Sequence, residues 1–123
     1  MDGRRILVLD ADRAFREEIT GVLSDRGYQV EQRSSAREAA RWLPGRNVRC
    51  ALVDVDLEDM SGLQAIALLR ARSPALKVIM TANENNRERE AQVRREDVLY
   101  YYVKGFDRAE LLQAIAGAVG EVK

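Results

Sequence analysis

Histidine is absent from this sequence of 123 residues, and cysteine occurs once, as Cys50. The absence of histidine excludes catalysis by Ser-His and Cys-His pairs, in which the imidazole activates the nucleophile. A single cysteine without histidine also leaves no ordinary zinc site. Cys50 cannot form a disulfide within the chain, and its place in an apolar run predicts a buried thiol in a reducing compartment.

An excess of charge of either sign is also absent, because 20 lysine and arginine residues balance 20 aspartate and glutamate residues. Domains that bind nucleic acid or anionic membranes usually carry a basic excess, so we expect neither partner here. The apolar run from Ile6 to Leu9 is too short for a signal peptide, and no segment approaches the length of a membrane span. These absences predict a cytoplasmic protein.

What is present is a pattern of short apolar runs that alternate with segments of helical spacing. The predicted strands cover 4–10, 29–31, 50–55, 78–80 and 98–103. The predicted helices begin at Asp12, at Ser34 or Ser35, at Leu63, at Asn83 and at Asp107. This alternation predicts an α/β domain with a parallel sheet and five flanking helices. With no linker or repeat, we expect one domain over 1–123 and no output domain.

Polar side chains stand where four of these strands end. They are Asp10 and Asp12, Asp54 and Asp56, Thr81, and Lys104. Because the carboxyl ends of parallel strands lie at one edge of a sheet, these groups should converge. Neighbouring carboxylates repel unless a divalent cation such as Mg²⁺ neutralises them, and a lysine beside a hydroxyl suits phosphoryl oxygens. The set predicts Mg²⁺-assisted phosphoryl transfer to or from a carboxylate, with Asp54 as the nucleophile.

Four segments together resemble the response regulator receiver domains of two-component signalling. They are Ile6-Leu7-Val8-Leu9-Asp10, Asp54 with Gly62-Leu63, Val78-Ile79-Met80-Thr81-Ala82, and Tyr101-Tyr102-Val103-Lys104-Gly105-Phe106. The resemblance covers nearly the whole chain and implies a flavodoxin-like sheet of strand order 2-1-3-4-5. It also implies a signalling switch rather than an enzyme, with an unidentified downstream protein as the recipient of the signal.

The resemblance assigns roles to the residues at the strand ends. Asp54 would accept phosphate from a sensor histidine kinase or a phosphotransfer protein. Asp10, Asp54 and Asp56 would hold Mg²⁺, with Asp56 at the place where the family usually offers a backbone carbonyl. Lys104 and Thr81 would contact the phosphoryl oxygens. Thr81 would also be the switch hydroxyl, followed inward by Tyr101, and the changed surface would lie near the fourth helix and fifth strand.

Two departures from the family pattern concern the site directly. The family usually has two adjacent acids after the first strand, but the second place is held by Ala11, which has no oxygen to give. Metal affinity should therefore fall unless Asp12, a further candidate ligand, or a water substitutes. Gly105 replaces the proline that usually follows the lysine, and the sequence is compatible with either a cis or a trans Lys104-Gly105 bond. Glu58 replaces a frequent proline in the loop after Asp54.

Three alternatives follow from the same residues. The first is a receiver-like binding module with weak or lost phosphorylation, which Ala11 and Gly105 favour. The second is a phosphatase, because Asp54-Val55-Asp56 resembles the DxD motif of haloacid-dehalogenase-like enzymes. That motif usually lies on the first strand, however, and here it follows the middle one. The third is structural: Asp10 and Asp12 would be a strand-end acid and a helix cap.

Overall fold

The computed structural model describes residues 4–120, in which five strands alternate with five helices. The strands are β1 (Arg5–Leu9), β2 (Gln29–Arg33), β3 (Val48–Asp54), β4 (Lys77–Ala82) and β5 (Tyr100–Val103). The helices are α1 (Arg13–Asp25), α2 (Ala36–Trp42), α3 (Gly62–Arg72), α4 (Arg87–Arg94) and α5 (Arg108–Val119). Within 4–120, no helix combines the length and the apolar character that a membrane span needs.

The five strands form one parallel sheet with the order β2-β1-β3-β4-β5, so the predicted fold class and strand order are confirmed. Successive side chains of a strand point to opposite faces. Ile6 and Val8 of β1 pack in one layer with α1 and α5, whereas Leu7 and Leu9 pack in the other layer with α2, α3 and α4. Because helices cover both faces, each inner strand contains a continuous apolar run, which is Ile6 to Leu9 in β1, Cys50 to Val53 in β3 and Val78 to Met80 in β4.

Cys50 lies in the central strand β3 and is fully buried in the layer of α1 and α5. Burial raises the pKa of its thiol to about 12. The predicted buried, free thiol is confirmed. At neutral pH almost none of it is thiolate, the reactive form of cysteine, so Cys50 is a packing residue.

Polar side chains fix the start of every helix. The residues that cap the helices from α1 to α5 are Asp12, Ser35, Ser61, Asn86 and Asp107. The predicted caps Asp12 and Asp107 are confirmed, and Ser35 is the cap of the two serines considered. A full capping box, in which side chain and backbone bond in both directions, forms between Ser61 and Gln64. It fixes the first turn of α3 directly after the loop that leaves Asp54.

Strand β1 is one residue shorter at each end than predicted, and two other elements are shorter by two or more residues. Helix α4 covers Arg87–Arg94 instead of 83–96, because Asn86 caps the helix by accepting from the Arg89 amide and 83–85 stay in the preceding loop. Strand β5 begins at Tyr100 instead of 98, because Asp97 has a φ of 58° and turns the chain just before the strand.

Asp59, in the loop between β3 and α3, connects that loop to the N-terminus of α2. Its carboxylate accepts hydrogen bonds from the amides of Ala36 and Arg37 at 2.9 and 3.0 Å and from the Ser35 hydroxyl at 3.1 Å. Burial alone would raise the pKa of Asp59, but these bonds outweigh it and lower the pKa below its usual 3.8. The ionised carboxylate therefore stabilises the folded protein.

Asp59→Ala should lower the free energy of unfolding at pH 7 by about 1–2 kcal/mol, the usual cost of losing a helix N-cap side chain. Because the folded-state pKa is depressed, the contribution is complete above pH 3.8 and is lost as the pH falls below that value. Denaturant unfolding of both proteins between pH 7 and pH 3 measures this. Glu58→Ala, which removes a single bond from the Ser34 hydroxyl, is the control and should change stability by less than about 0.5 kcal/mol. A difference for Asp59→Ala that stays constant with pH would contradict the assignment.

Candidate functional site

Three polar residues are buried within 4–120. They are Asp10, Asp54 and Thr81, with 1%, 4% and 1% of their surface exposed. They stand at the carboxyl ends of β1, β3 and β4, and Lys104 follows β5. Burying charged groups is costly unless they are paired, so such a cluster is a candidate functional site. These four residues lie together at one edge of the sheet, as predicted.

The Asp54 carboxylate has a different donor on each oxygen. Thr81 is its register partner on β4, and the Thr81 hydroxyl donates to Asp54 Oδ1 at 3.2 Å. The Asp56 amide donates to Oδ2 at 3.2 Å. The Lys104 ammonium lies 3.2 Å from Oδ1. Asp54 is thus oriented by backbone, hydroxyl and cation together.

Lys104 lies between the two buried carboxylates. Its Nζ is 2.8 Å from Asp10 Oδ2 and 3.2 Å from Asp54 Oδ1, but neither contact is aligned as a hydrogen bond. The Phe15 ring, in the first turn of α1, lies 4.4 Å from the same Nζ and adds a cation–π contact. This contact was not predicted, because nothing in the sequence connects Phe15 with a lysine so far along the chain.

The pKa shifts follow from burial and from this pairing. Burial raises the pKa of Asp10, with a smaller contribution from the negative charge of Asp54 in the same direction, while Lys104 and the Asp12 amide oppose the rise. Burial alone would lower the pKa of Lys104, but its contacts with Asp10 and then Asp54 outweigh burial, and the pKa is raised. A charged lysine therefore neutralises one of two adjacent carboxylates, which leaves negative charge for a second cation.

The donor set at Asp10 and Asp54 fits Mg²⁺. Asp10 Oδ1 accepts from the Asp12 amide at 2.8 Å, whereas the buried Oδ2 has no hydrogen-bond partner. The Lys104 ammonium lies 2.8 Å from that oxygen without an aligned hydrogen bond. Two adjacent carboxylates that share a single lysine are suited to a further hard cation, which also accepts backbone carbonyls and waters. No group of three or more acidic, histidine or cysteine residues that could hold a metal occurs in the described chain. Two side chains, then, would be the whole protein carboxylate contribution.

The other two predicted acids are oriented away from this pair. Asp12 Oδ1 accepts from the Ala14 and Phe15 amides at 3.0 and 3.3 Å, as a helix cap. The Asp56 side chain is 76% exposed and lies 3.6 Å from the Arg89 guanidinium of α4. Only the Asp56 backbone takes part in the site directly, through its bond to Asp54. Ala11 is exposed beside Asp10.

Tyr101, the predicted aromatic switch residue, is half-buried, and its hydroxyl is buried without a hydrogen-bond partner. Burial raises its pKa; the charge of Arg89 opposes this, while Glu90, Asp54 and Asp56 add to it. The ring packs against the core layer that contains Val93 of α4. The Arg89–Asp56 ion pair, which joins α4 to the loop that leaves Asp54, was not predicted, since the exposed faces of α4 give no sequence signal for a particular partner.

Two glycines shape the edges of the site. A Cβ at Gly62 would lie 2.4 Å from the Asp54 carbonyl oxygen, so glycine allows α3 to begin directly against the backbone of Asp54. Gly105 has a φ of +90°, a conformation that favours glycine. No peptide bond in the described chain is cis, which places the Lys104-Gly105 bond in the trans form.

Comparison with known proteins gives the class to which this fold and site belong. The family model of the response regulator receiver domain matches residues 6–116. The chain therefore belongs to the receiver domain family of two-component signalling, a signalling module rather than an enzyme. The phosphatase alternative is set aside with this assignment.

Relatives within the family carry different outputs. The DNA-binding transcriptional regulator NtrC of Azospirillum brasilense is 28% identical over 119 residues, which is 97% of this chain and 25% of that protein. The CAI-1 autoinducer sensor kinase/phosphatase CqsS of Vibrio cholerae is 29% identical, over 94% of this chain and 17% of that protein. Because this chain spans a quarter or less of their lengths, their activities do not define its own output.

A solved structure agrees over the full domain. The response regulator receiver domain protein (CheY-like) from Methanospirillum hungatei has a TM-score of 0.84 and 26% identity, and the match covers 94% of this chain and 93% of that one. The fold predicted from the strand pattern is thus the fold of the family.

Proposed function

We propose that Asp54 is the phosphate acceptor of a phosphorylation-controlled switch. The observation that carries this proposal is the setting of its carboxylate, which is 4% exposed as a residue and held between the Thr81 hydroxyl and the Lys104 ammonium. A structural aspartate at a strand end would not need both a hydroxyl and a buried cation. The phosphoryl donor would be a phosphohistidine of a sensor kinase or phosphotransfer protein, in keeping with two-component signalling.

The transfer requires no acid–base residue from this chain. A carboxylate oxygen of Asp54 forms the new bond to phosphorus, the bond between phosphorus and the donor's imidazole nitrogen breaks, and the electron pair stays on that nitrogen. The other ring nitrogen of the donor carries a proton, so the ring leaves as neutral imidazole. Lys104 lies close enough to Asp54 to offset charge on the phosphoryl oxygens. The Thr81 hydroxyl, which now donates to Asp54, is placed to donate to a phosphoryl oxygen instead.

Asp10, Asp54 and the backbone carbonyl of Asp56 would hold Mg²⁺, which supplies positive charge where negative charge accumulates on the phosphoryl group. Asp12 would contribute only through a bridging water, since its side chain caps α1. Ala11 gives no ligand, so we expect weaker binding of the metal than a second acid would provide.

The switch would run from Thr81 to the face formed by α4 and β5. Movement of the Thr81 hydroxyl toward the phosphoryl group leaves space, and the inward-facing side chain of Tyr101 can move into that space. The Arg89–Asp56 ion pair links α4 to the loop that leaves Asp54, so a change in that loop would alter the position of α4. A downstream protein would read this change.

The alternative function is a binding module that retains the receiver fold but is phosphorylated weakly or not at all. Ala11 favours it, and so does Lys104, which already neutralises part of the charge of both carboxylates without a metal. The two proposals differ in whether Mg²⁺ and a phosphodonor modify the protein at all.

Incubation with a small phosphodonor and Mg²⁺ should add one phosphoryl group, measured by intact-protein mass spectrometry. Asp54→Asn should abolish the modification, because the amide is not a nucleophile toward phosphorus. Asp56→Asn is the matched control and should still be modified, since that side chain is exposed and turned toward Arg89. Modification of Asp54→Asn at the wild-type level would mean that another residue accepts the phosphoryl group. If the wild type is not modified at any Mg²⁺ concentration, the binding module is favoured.

A further inference from the structure

A groove of about 650 Å³ runs between α2 and α3, on the helix layer that also contains α4. Its walls are rows of side chains at helical spacing: Arg37 and Arg41 on α2, and Gln64, Leu68 and Arg72 on α3. Residues four apart on a helix share one face, so each row lines the groove along its length. From Gln64 to Arg72 the α3 wall is about 12 Å long, at 1.5 Å per residue.

The groove is basic, and its positive charge is not neutralised from within. Asp59 is the acid among its lining residues, and its carboxylate is occupied by the start of α2 and by Arg37, 3.6 Å away. The side chains of Arg41 and Arg72 make no hydrogen bond, ion pair or ring contact with any residue of 4–120. Two exposed guanidinium groups therefore face the groove without an anionic partner.

The bottom of the groove is apolar. It is formed by the buried Ala40 and the half-buried side chain of Met60, and the half-buried Leu68 in the middle of the α3 wall continues this apolar surface. Gln64 adds polar capacity at one end, because its Oε1 accepts from the Ser61 amide while its amide nitrogen remains a donor. A ligand that matches this surface needs carboxylates at its edges and at least one apolar side chain at its centre.

We propose that this groove binds an acidic amphipathic segment of a partner protein. Its carboxylates would pair with Arg41 and Arg72, and its apolar side chains would pack on Ala40, Met60 and Leu68. The length of the walls, about two helical turns, suits a helical peptide better than an isolated anion. A nucleic acid fits less well, because its backbone offers no apolar side chain for the floor and the chain as a whole has no net charge.

This surface is separate from the phosphoacceptor. None of the residues that line the groove forms a side-chain hydrogen bond or an ion pair with Asp10, Asp54 or Lys104 in the described structure. The proposed peptide binding therefore does not depend on phosphorylation. If the groove binds no peptide, the proposal that Asp54 accepts phosphate is unaffected, and the converse also holds.

Arg41 and Arg72 also have a structural explanation, since both lie in the last turn of a helix, where a cation stabilises the helix dipole. That role predicts a small loss of stability on substitution and no effect on a ligand. A binding measurement separates the two explanations.

The test uses a fluorescein-labelled helical peptide of about four turns, ~15 residues, with leucine on one face and glutamate on the other. Fluorescence anisotropy with the full chain should show saturable binding. Arg41→Glu and Arg72→Glu should each weaken the affinity roughly fivefold, the scale of one exposed ion pair. Arg26→Glu is the matched control, because Arg26 is an exposed arginine at the end of α1, on the opposite helix layer, and it should leave the affinity unchanged.

Two further peptides define what the groove recognises. Replacing glutamate by glutamine should abolish binding, and replacing leucine by serine should do the same. Thermal unfolding of every variant checks that it is folded. The proposal is overturned if the acidic peptide does not bind, if Arg26→Glu weakens binding as much as the groove variants, if the glutamine peptide binds equally well, or if duplex DNA displaces the peptide at lower concentration.

Discussion

Gly62→Ala is expected to lower the free energy of unfolding by about 3 kcal/mol, at the upper end of the usual cost of overpacking. The new Cβ would lie 2.4 Å from the Asp54 carbonyl oxygen, 2.6 Å from Met80 Cε and 3.0 Å from Val55 Cα. The methionine end can move aside, but the two backbone atoms belong to the central strand and its exit loop. The loss would be a large fraction of the 5–15 kcal/mol typical of a domain. Urea unfolding measures it directly.

Gly21→Ala is the matched control for this prediction. Gly21 lies within α1, and nothing is within 4 Å of the position that its Cβ would take. Alanine has a higher helix propensity than glycine, so this variant should gain about 0.5–1 kcal/mol. If Gly62→Ala were as stable as the wild type, the close approach of α3 to Asp54 would be wrong. Gly62→Ala protein that still folds should also be phosphorylated more slowly, because the new Cβ displaces the backbone carbonyl of Asp54, the proposed acceptor.

Ala11→Asp is expected to increase the affinity for Mg²⁺ at least tenfold, because it adds a carboxylate beside the two that already face the proposed metal position. The same substitution has the opposite effect without metal. A third negative charge near Asp10 and Asp54, with one lysine to neutralise them, should make the metal-free protein less stable than the wild type. Saturating Mg²⁺ should then close or reverse the difference, since a ligand that binds only the folded state stabilises it.

Isothermal titration with Mg²⁺ and thermal unfolding with and without a chelator measure both effects. Ala11→Asn is the control: it supplies an oxygen ligand without a charge and should fall between the two proteins. Equal affinities of the wild type and Ala11→Asp would mean that position 11 does not face the metal. Undetectable binding by the wild type together with clear binding by Ala11→Asp would favour the alternative of a binding module with weak phosphorylation.

The predictable part of the structure rested on local signals. Ile6 to Leu9 and Cys50 to Val53 are apolar because both faces of their strands are covered, and such runs are visible in a single sequence. The convergence of Asp10, Asp54, Thr81 and Lys104 followed from the same reasoning, since parallel strands bring their carboxyl ends together. The strand order itself came from the family resemblance.

What could not be predicted depends on contacts between distant segments. Phe15 meets Lys104 across the sheet edge, and Arg89 meets Asp56 across the mouth of the site. Asp59 ties one loop to the start of another helix. Each of these residues has an ordinary local explanation, as a helix-face aromatic, a surface cation or a loop acid, and local patterns do not specify the partner. The late start of α4 and the late start of β5 likewise depended on Asn86 and on the left-handed turn at Asp97.

The burial of Cys50 makes it a built-in reporter of conformational opening. It is the one thiol of the chain, it is fully buried in β3, and its pKa is about 12. An alkylating reagent must therefore wait for the sheet to open before it reacts. When closing outpaces the reaction, the labelling rate is the intrinsic thiol rate multiplied by the opening equilibrium constant. The stabilising effects of Mg²⁺, a phosphodonor and a groove peptide can thus be compared on one scale. The measured quantity is how strongly each slows the alkylation of Cys50 in an untagged protein.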